Sequence, residues 1–168
     1  MNEQKTGKSK LDKGIFRAVK KDGTVYYRAS LTYRGKHISL GSYRDAGQAH
    51  SAYEEGIRLL NDSSLSLKSY WETSSLSFEK WVCLLNFRDN GIYLGNPIYM
   101  GQQLFYYYLT PHHVLKFDLE DLFYYSSHKI MRRGNHYFVS DYGMQLTLTS
   151  RYGIKNYAVP GRDYCFRN

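Results

Sequence analysis

Between Val25 and Gly41, polar side chains recur at every second position. Arg28, Ser30 and Thr32 come first, and His37 and Ser39 follow after a short basic turn, Arg34-Gly35-Lys36. In an extended chain, a period of two places such residues on one face. That face carries positive charge and hydrogen-bond donors. The intervening residues Tyr27, Ala29, Leu31, Ile38 and Leu40 are apolar and belong to the opposite face. A small sheet with one packed face and one cationic, polar face is a candidate to sit in a DNA groove. The competing reading is a solvated basic surface.

Other residue sets point to weaker chemistry. His112 and His113 are adjacent, and with Asp118 or Glu120 they form a possible metal set. Surface histidines in a turn after Pro111 explain them more simply. Glu120-Asp121 sits in the first turn of an expected helix, where the macrodipole already favours acids. His128 and His136 have neither helical-pair nor zinc-finger spacing. There is no Gly-rich phosphate loop and no nucleophile elbow. Cys83 and Cys165 are far apart and make no metal spacing or disulfide framework, which suits a reducing cytosol.

The elements that must position the polar face follow from turn and periodicity signals. Residues 1–13 read as a flexible basic arm. A strand is expected over 15–20, then the hairpin signal Lys21-Asp22-Gly23-Thr24, then strands over 25–33 and 37–41. Phe16, Arg17 and Val19 do not alternate cleanly, which a bulge in the first strand would explain. Asp45 is an N-cap signal for a helix whose stripe is Ala49, Ala52, Tyr53 and Ile57. This helix should cover the Ala29, Leu31, Ile38, Leu40 face. The serine-rich stretch 61–76 reads as a linker.

Beyond it, a helix is expected over 78–87, with Phe78, Trp81, Val82 and Leu85 as its stripe. Strand-like pieces follow at 98–100, 104–109 and 114–117. Asp118 should cap a helix to about Tyr125, followed by strands near 130–132, 136–139 and 145–148. The fold class is therefore α+β: a three-stranded antiparallel sheet backed by one helix over 14–60, and a small α+β domain over 77–168. Phe105 to Tyr108 and Phe123 to Tyr125 are aromatic runs. Buried strands or a protein-interaction surface would both produce them.

Charge is distributed in the same direction. The chain has a formal charge of +8 in 168 residues. Residues 1–60 hold 12 Lys and Arg against 6 Asp and Glu, and residues 61–168 hold 11 against 9. The excess lies with the three strands, and a concentrated positive field favours a polyanion. No apolar run approaches the roughly 20 residues of a membrane helix, and the polar start MNEQKTGKSK is no secretory signal. A cytoplasmic, nucleoid-associated protein is expected.

With these residues in view, residues 14–60 resemble the Apetala-two/ethylene-response-factor DNA-binding domain, in its bacterial and phage form. The resemblance rests on Tyr27 to Leu31 (YRASL), on Ile38-Ser39-Leu40-Gly41, and on Ala49, Ala52, Tyr53 and Glu54. It implies a sheet laid in the major groove of double-stranded DNA. By this resemblance Arg28, Ser30, Thr32, His37 and Ser39 would meet bases, Arg28 reaching a guanine edge bidentately. Lys20, Lys21, Arg34 and Lys36 would meet phosphates. Ser39 stands where the plant form has a tryptophan, and the arginine run of its first strand is thinned to Arg17.

The later part resembles an HNH endonuclease region, on residues 117–130, on 134–153 and on the closing AVPGRDYCFRN. Where that family has its general-base histidine after an aspartate, this chain reads Asp163-Tyr164, and no histidine follows His136. The region reads as a degenerate or truncated nuclease fold. The expected function is sequence-specific binding of duplex DNA in a mobile-element or phage setting, without catalysis and without a cofactor. The alternative is a metal-dependent homing endonuclease using Mg2+ or another divalent ion.

Overall fold

Two tight turns build the N-terminal sheet in the computed structural model, which describes residues 12–71 and 74–140. At the first, Asp22 Oδ1 accepts the Thr24 N–H at 2.9 Å and Gly23 takes a φ of +85°. At the second, Arg34 and Gly35 both have positive φ, +46° and +76°, as a two-residue type I′ hairpin requires. Strands β1 (Ile15–Val19), β2 (Val25–Tyr33) and β3 (Lys36–Tyr43) pair antiparallel in the order β1-β2-β3.

Helix α1 (Ala46–Asn61) follows, with Asp45 Oδ1 accepting the Gln48 N–H at 2.8 Å as its N-cap. It covers the sheet face made by Ile15, Ala29, Leu31, Ile38 and Leu40, all buried. The buried residues of α1 are Ala49, Ala52, Gly56, Leu59 and Leu60, while Tyr53 and Ile57 are only half-buried. Close approach decides this rotation. A Cβ at Gly56 would come within 2.9 Å of Leu31 Cδ2, so the helix lies closest to the sheet where it has no side chain.

The β1–β2 register runs unbroken from Ile15 opposite Ala29 to Val19 opposite Val25. The bulge expected in β1 is therefore elsewhere. It lies between β2 and β3, where Ala29 pairs Gly41 but Ser30 pairs Ser39, leaving Leu40 as the extra residue on β3.

The described residues of the expected linker, 61–71 and 74–76, are bound into this first unit. Arg88 donates to Leu59 O, Asp62 O and Leu65 O at 2.7–3.0 Å. Glu55 accepts from the Ser74 hydroxyl and from the Ser75 and Leu76 N–H groups. Trp81 donates its indole N–H to Ser66 O, and Tyr70 and Trp71 meet the Trp81 ring edge-on. Helix α2 (Phe78–Asn90) is capped by Ser77 and ends at Gly91 in the left-handed region, one turn beyond the expected end at Phe87. Every residue from Trp81 to Phe87 is buried, so apolar periodicity understates how enclosed it is. The first unit accordingly closes at Ile92, and the division falls between Ile92 and Tyr93 rather than across 61–76.

The second unit begins with strands β4 (Ile98–Met100), β5 (Leu104–Thr110) and β6 (His113–Asp118), an antiparallel sheet. A short 3-10 turn leads into helix α3 (Leu122–Ser127), and β7 (Ile130–Arg133) pairs with β8 (His136–Val139). Its core is Leu94, Ile98, Phe105, Tyr107, Leu122 and Ile130. The Tyr107 hydroxyl, buried, accepts the Ile130 N–H at 3.0 Å. The aromatic run thus alternates as a strand should: Phe105 and Tyr107 point in, Tyr106 and Tyr108 are half-buried. No helix among the described residues is long and apolar enough to cross a membrane. The strand expected at 145–148, the arm before residue 12 and Asp163-Tyr164 lie outside the described residues.

Candidate nucleic-acid interface

Register decides which side chains share the uncovered face of the first sheet. Phe16 pairs Arg28, and Arg28 pairs Ser42; Ser30 pairs Ser39; Thr32 pairs His37. These residues alternate with the helix-covered set, so they stand on the opposite side of the sheet. Arg28, Thr32, His37, Ser39 and Ser42 are exposed. Among the described residues, Arg28 makes no hydrogen bond, ion pair or ring contact, so its guanidinium is uncommitted. Phe16, Arg28, Ala29, Ser30, His37 and Ser39 line a depression of about 200 Å³.

Several expected site residues stand differently. Ser30 is 8 % exposed and forms the floor of the depression, which puts its hydroxyl behind its neighbours rather than at the rim. Arg17 pairs Tyr27 and Lys36 pairs Tyr33, so both fall on the side of the sheet that faces α1. Both are exposed there. Arg34 is already engaged. Its Nη1 donates to Phe87 O at 3.3 Å, and its guanidinium lies 5.1 Å from the Tyr33 ring centroid. Phe87 O is near the C-terminus of α2, where a cation is favoured by the helix dipole. Arg34 thus ties the β2–β3 turn to α2, helped by edge-on contact between Tyr33 and Phe87.

The remaining cations sit at the ends of the strands. Lys20 and Lys21 are exposed at the β1–β2 turn, and Arg44 is exposed just after β3. Antiparallel order puts these three at one end of the sheet and Arg34 and Lys36 at the other. Strand β2 separates the two ends by roughly 26 Å at about 3.3 Å per residue.

Phe16 is the residue that alternation did not reveal. It is 55 % exposed on the same face as Arg28. The signal that identifies it is the spacing from the Asp-Gly turn back to Gly14. Gly14 has a φ of +81°, and a Cβ there would collide with the Tyr53 ring and Ser30 O. The chain must therefore enter β1 with Ile15 turned toward α1, which turns Phe16 outward.

In the second unit, the two adjacent histidines do not converge. His112 is exposed, while the His113 ring meets the Tyr137 hydroxyl, with Nε2 at 2.6 Å. Among the described residues, no group of three or more His, Cys, Asp or Glu could hold a metal ion. Glu120 and Asp121 lie in the 3-10 turn Leu119–Asp121, and the helix expected from Asp118 begins only at Leu122, with no acid in its first turn.

No protein-family model, no curated protein and no solved structure matches this chain.

Proposed function

We propose that the protein binds duplex DNA through the uncovered face of its first sheet, with the strands laid in the major groove. The observation that carries this reading is the composition of that face. It has an uncommitted arginine, three exposed hydroxyl residues and a histidine beside an exposed phenylalanine, and none of these packs into the core among the described residues. Three strands at about 4.8 Å spacing span about 10 Å between outer strand axes. That width suits a major groove of about 12 Å. Exposed cations at both ends of the strands support the reading, because phosphate contacts position a protein on DNA while base contacts specify it.

In this reading Arg28 is the base reader, forming a bidentate pair with guanine O6 and N7. Thr32, His37 and Ser39 flank it with shorter polar groups that accept either base type. Lys20, Lys21, Lys36, Arg44 and Arg17 set register from the rim.

The test is duplex affinity as a function of salt. With about five phosphate contacts, log affinity falls against log salt with a slope near −4.5. Absence of binding at low salt would remove the reading. The same mixtures, supplied with Mg2+ and followed for strand cleavage, separate binding alone from an endonuclease.

A further inference from the structure

Phe16 is a solvent-exposed aromatic ring on the edge strand β1, on the face that carries Arg28, Thr32, His37 and Ser39 together with the half-buried Ala18 and Tyr26. Burial would be available to it on the other side of the sheet, where Ile15 lies; the register instead holds it outward beside Arg28. Nothing among the described residues stacks on it. Yet it lines the same depression as Arg28, His37 and Ser39.

We infer that Phe16 and Arg28 read neighbouring base pairs, Arg28 a guanine and Phe16 the 5-methyl group of an adjacent pyrimidine. This deepens, and rests on, the DNA-binding reading. Directly opposed residues on antiparallel strands have Cβ atoms about 4.5–5.5 Å apart. Successive base pairs are about 3.4 Å apart along the duplex. One cross-strand pair therefore spans one base step and little more. In the major groove, only a 5-methyl group offers an apolar partner on a base edge, and phenylalanine is a side chain that packs on it. Guanine offers two acceptors to the fork of an arginine. The pair thus selects a composite feature, a methylated pyrimidine next to a guanine. Thymine and 5-methylcytosine carry the same methyl group, and experiment distinguishes them.

The experiment selects the tightest duplex from a random-sequence library with the full chain. Each pyrimidine beside a guanine is then varied, thymine against uracil and 5-methylcytosine against cytosine. One position should lose about threefold to fivefold in affinity when its methyl is removed, the size expected for one buried methyl group. Which pair shows the loss identifies the natural base. Phe16→Ala and Phe16→Gln should both abolish the methyl effect, and the exposure of Phe16 leaves their folding intact. Arg28→Ala should weaken binding but keep the methyl effect. If no methyl removal changes affinity, or the effect survives both Phe16 variants, the assignment of Phe16 is wrong even though Arg28→Ala still weakens binding. If no duplex is enriched, the DNA-binding reading falls, and this inference with it.

Discussion

The two faces of the N-terminal sheet are built from the same strands and could hardly differ more in how their side chains are used. On one face Ala29, Leu31, Ile38 and Leu40 are at most 3 % exposed under α1. On the other, Arg28, Thr32, His37 and Ser39 are exposed, and Phe16 keeps company with them. The first face is close-packed to the point that Gly56 admits no Cβ without displacing Leu31. Among the described residues, the sheet is packed from the α1 side alone. The second face is free to be specified by something other than stability, and substitutions on the two sides should separate cleanly.

The largest effect belongs to the packed face. Leu31→Ala should cost about 2–5 kcal/mol of unfolding free energy in urea denaturation, through lost burial and the cavity left beneath α1. On the open face, Arg28→Ala should leave that midpoint unchanged. It should instead cost about 1–3 kcal/mol in duplex affinity and relax preference at one base pair. A uniform loss over all sequences would make Arg28 a phosphate contact, and a loss of stability would break the contrast between the faces.

Arg34 sharpens the boundary between them. Because its guanidinium serves Phe87 O and the Tyr33 ring, Arg34→Ala should lower stability by about 1 kcal/mol. The salt slope of binding should barely change. A fall of about one in that slope would return Arg34 to the phosphate-binding set.

A purely pH-dependent effect concerns Tyr43, at the end of β3. Burial, with the Glu55 carboxylate nearby as a lesser cause, pushes its hydroxyl up to about 12. Its unfolded value is near 10. The folded state therefore holds this proton more tightly, so its contribution to stability is complete below pH 10 and is lost as pH rises toward 12. Comparing wild type with Tyr43→Phe across that window should show the extra alkaline loss only in wild type.

Most of the first sheet was legible because local signals agreed. The Asp-Gly and Arg-Gly turns, the period of two in β2 and the Asp45 cap all point to one arrangement. Phe16 and Arg17 were read less well because β1 is short and both of its faces are exposed toward its end. Only its pairing with β2 separates them. The bulge at Leu40 was invisible for a related reason: it keeps Ile38 and Leu40 both buried, so the apolar alternation of β3 looks regular. The stretch 61–76 misled because serine-rich composition resembles a linker. Its order comes from Glu55 and Arg88, which are distant in sequence. Arg34 looked like a phosphate ligand because its acceptor, Phe87 O, is a backbone group 53 residues away. The described strands of the second unit, from Ile98 to Val139, match the sequence pattern nearly to the residue.

The anchoring of 61–76 has a practical consequence for dividing the chain. A fragment ended at residue 60, where the sheet-and-helix pattern of the sequence ends, would discard Arg88 and helix α2, which packs against α1. Its helix would end frayed, with fresh apolar surface and a tendency to aggregate. A fragment ended at Ile92 keeps Glu55, Arg88 and the Gly91 cap, and is expected to melt as one cooperative unit.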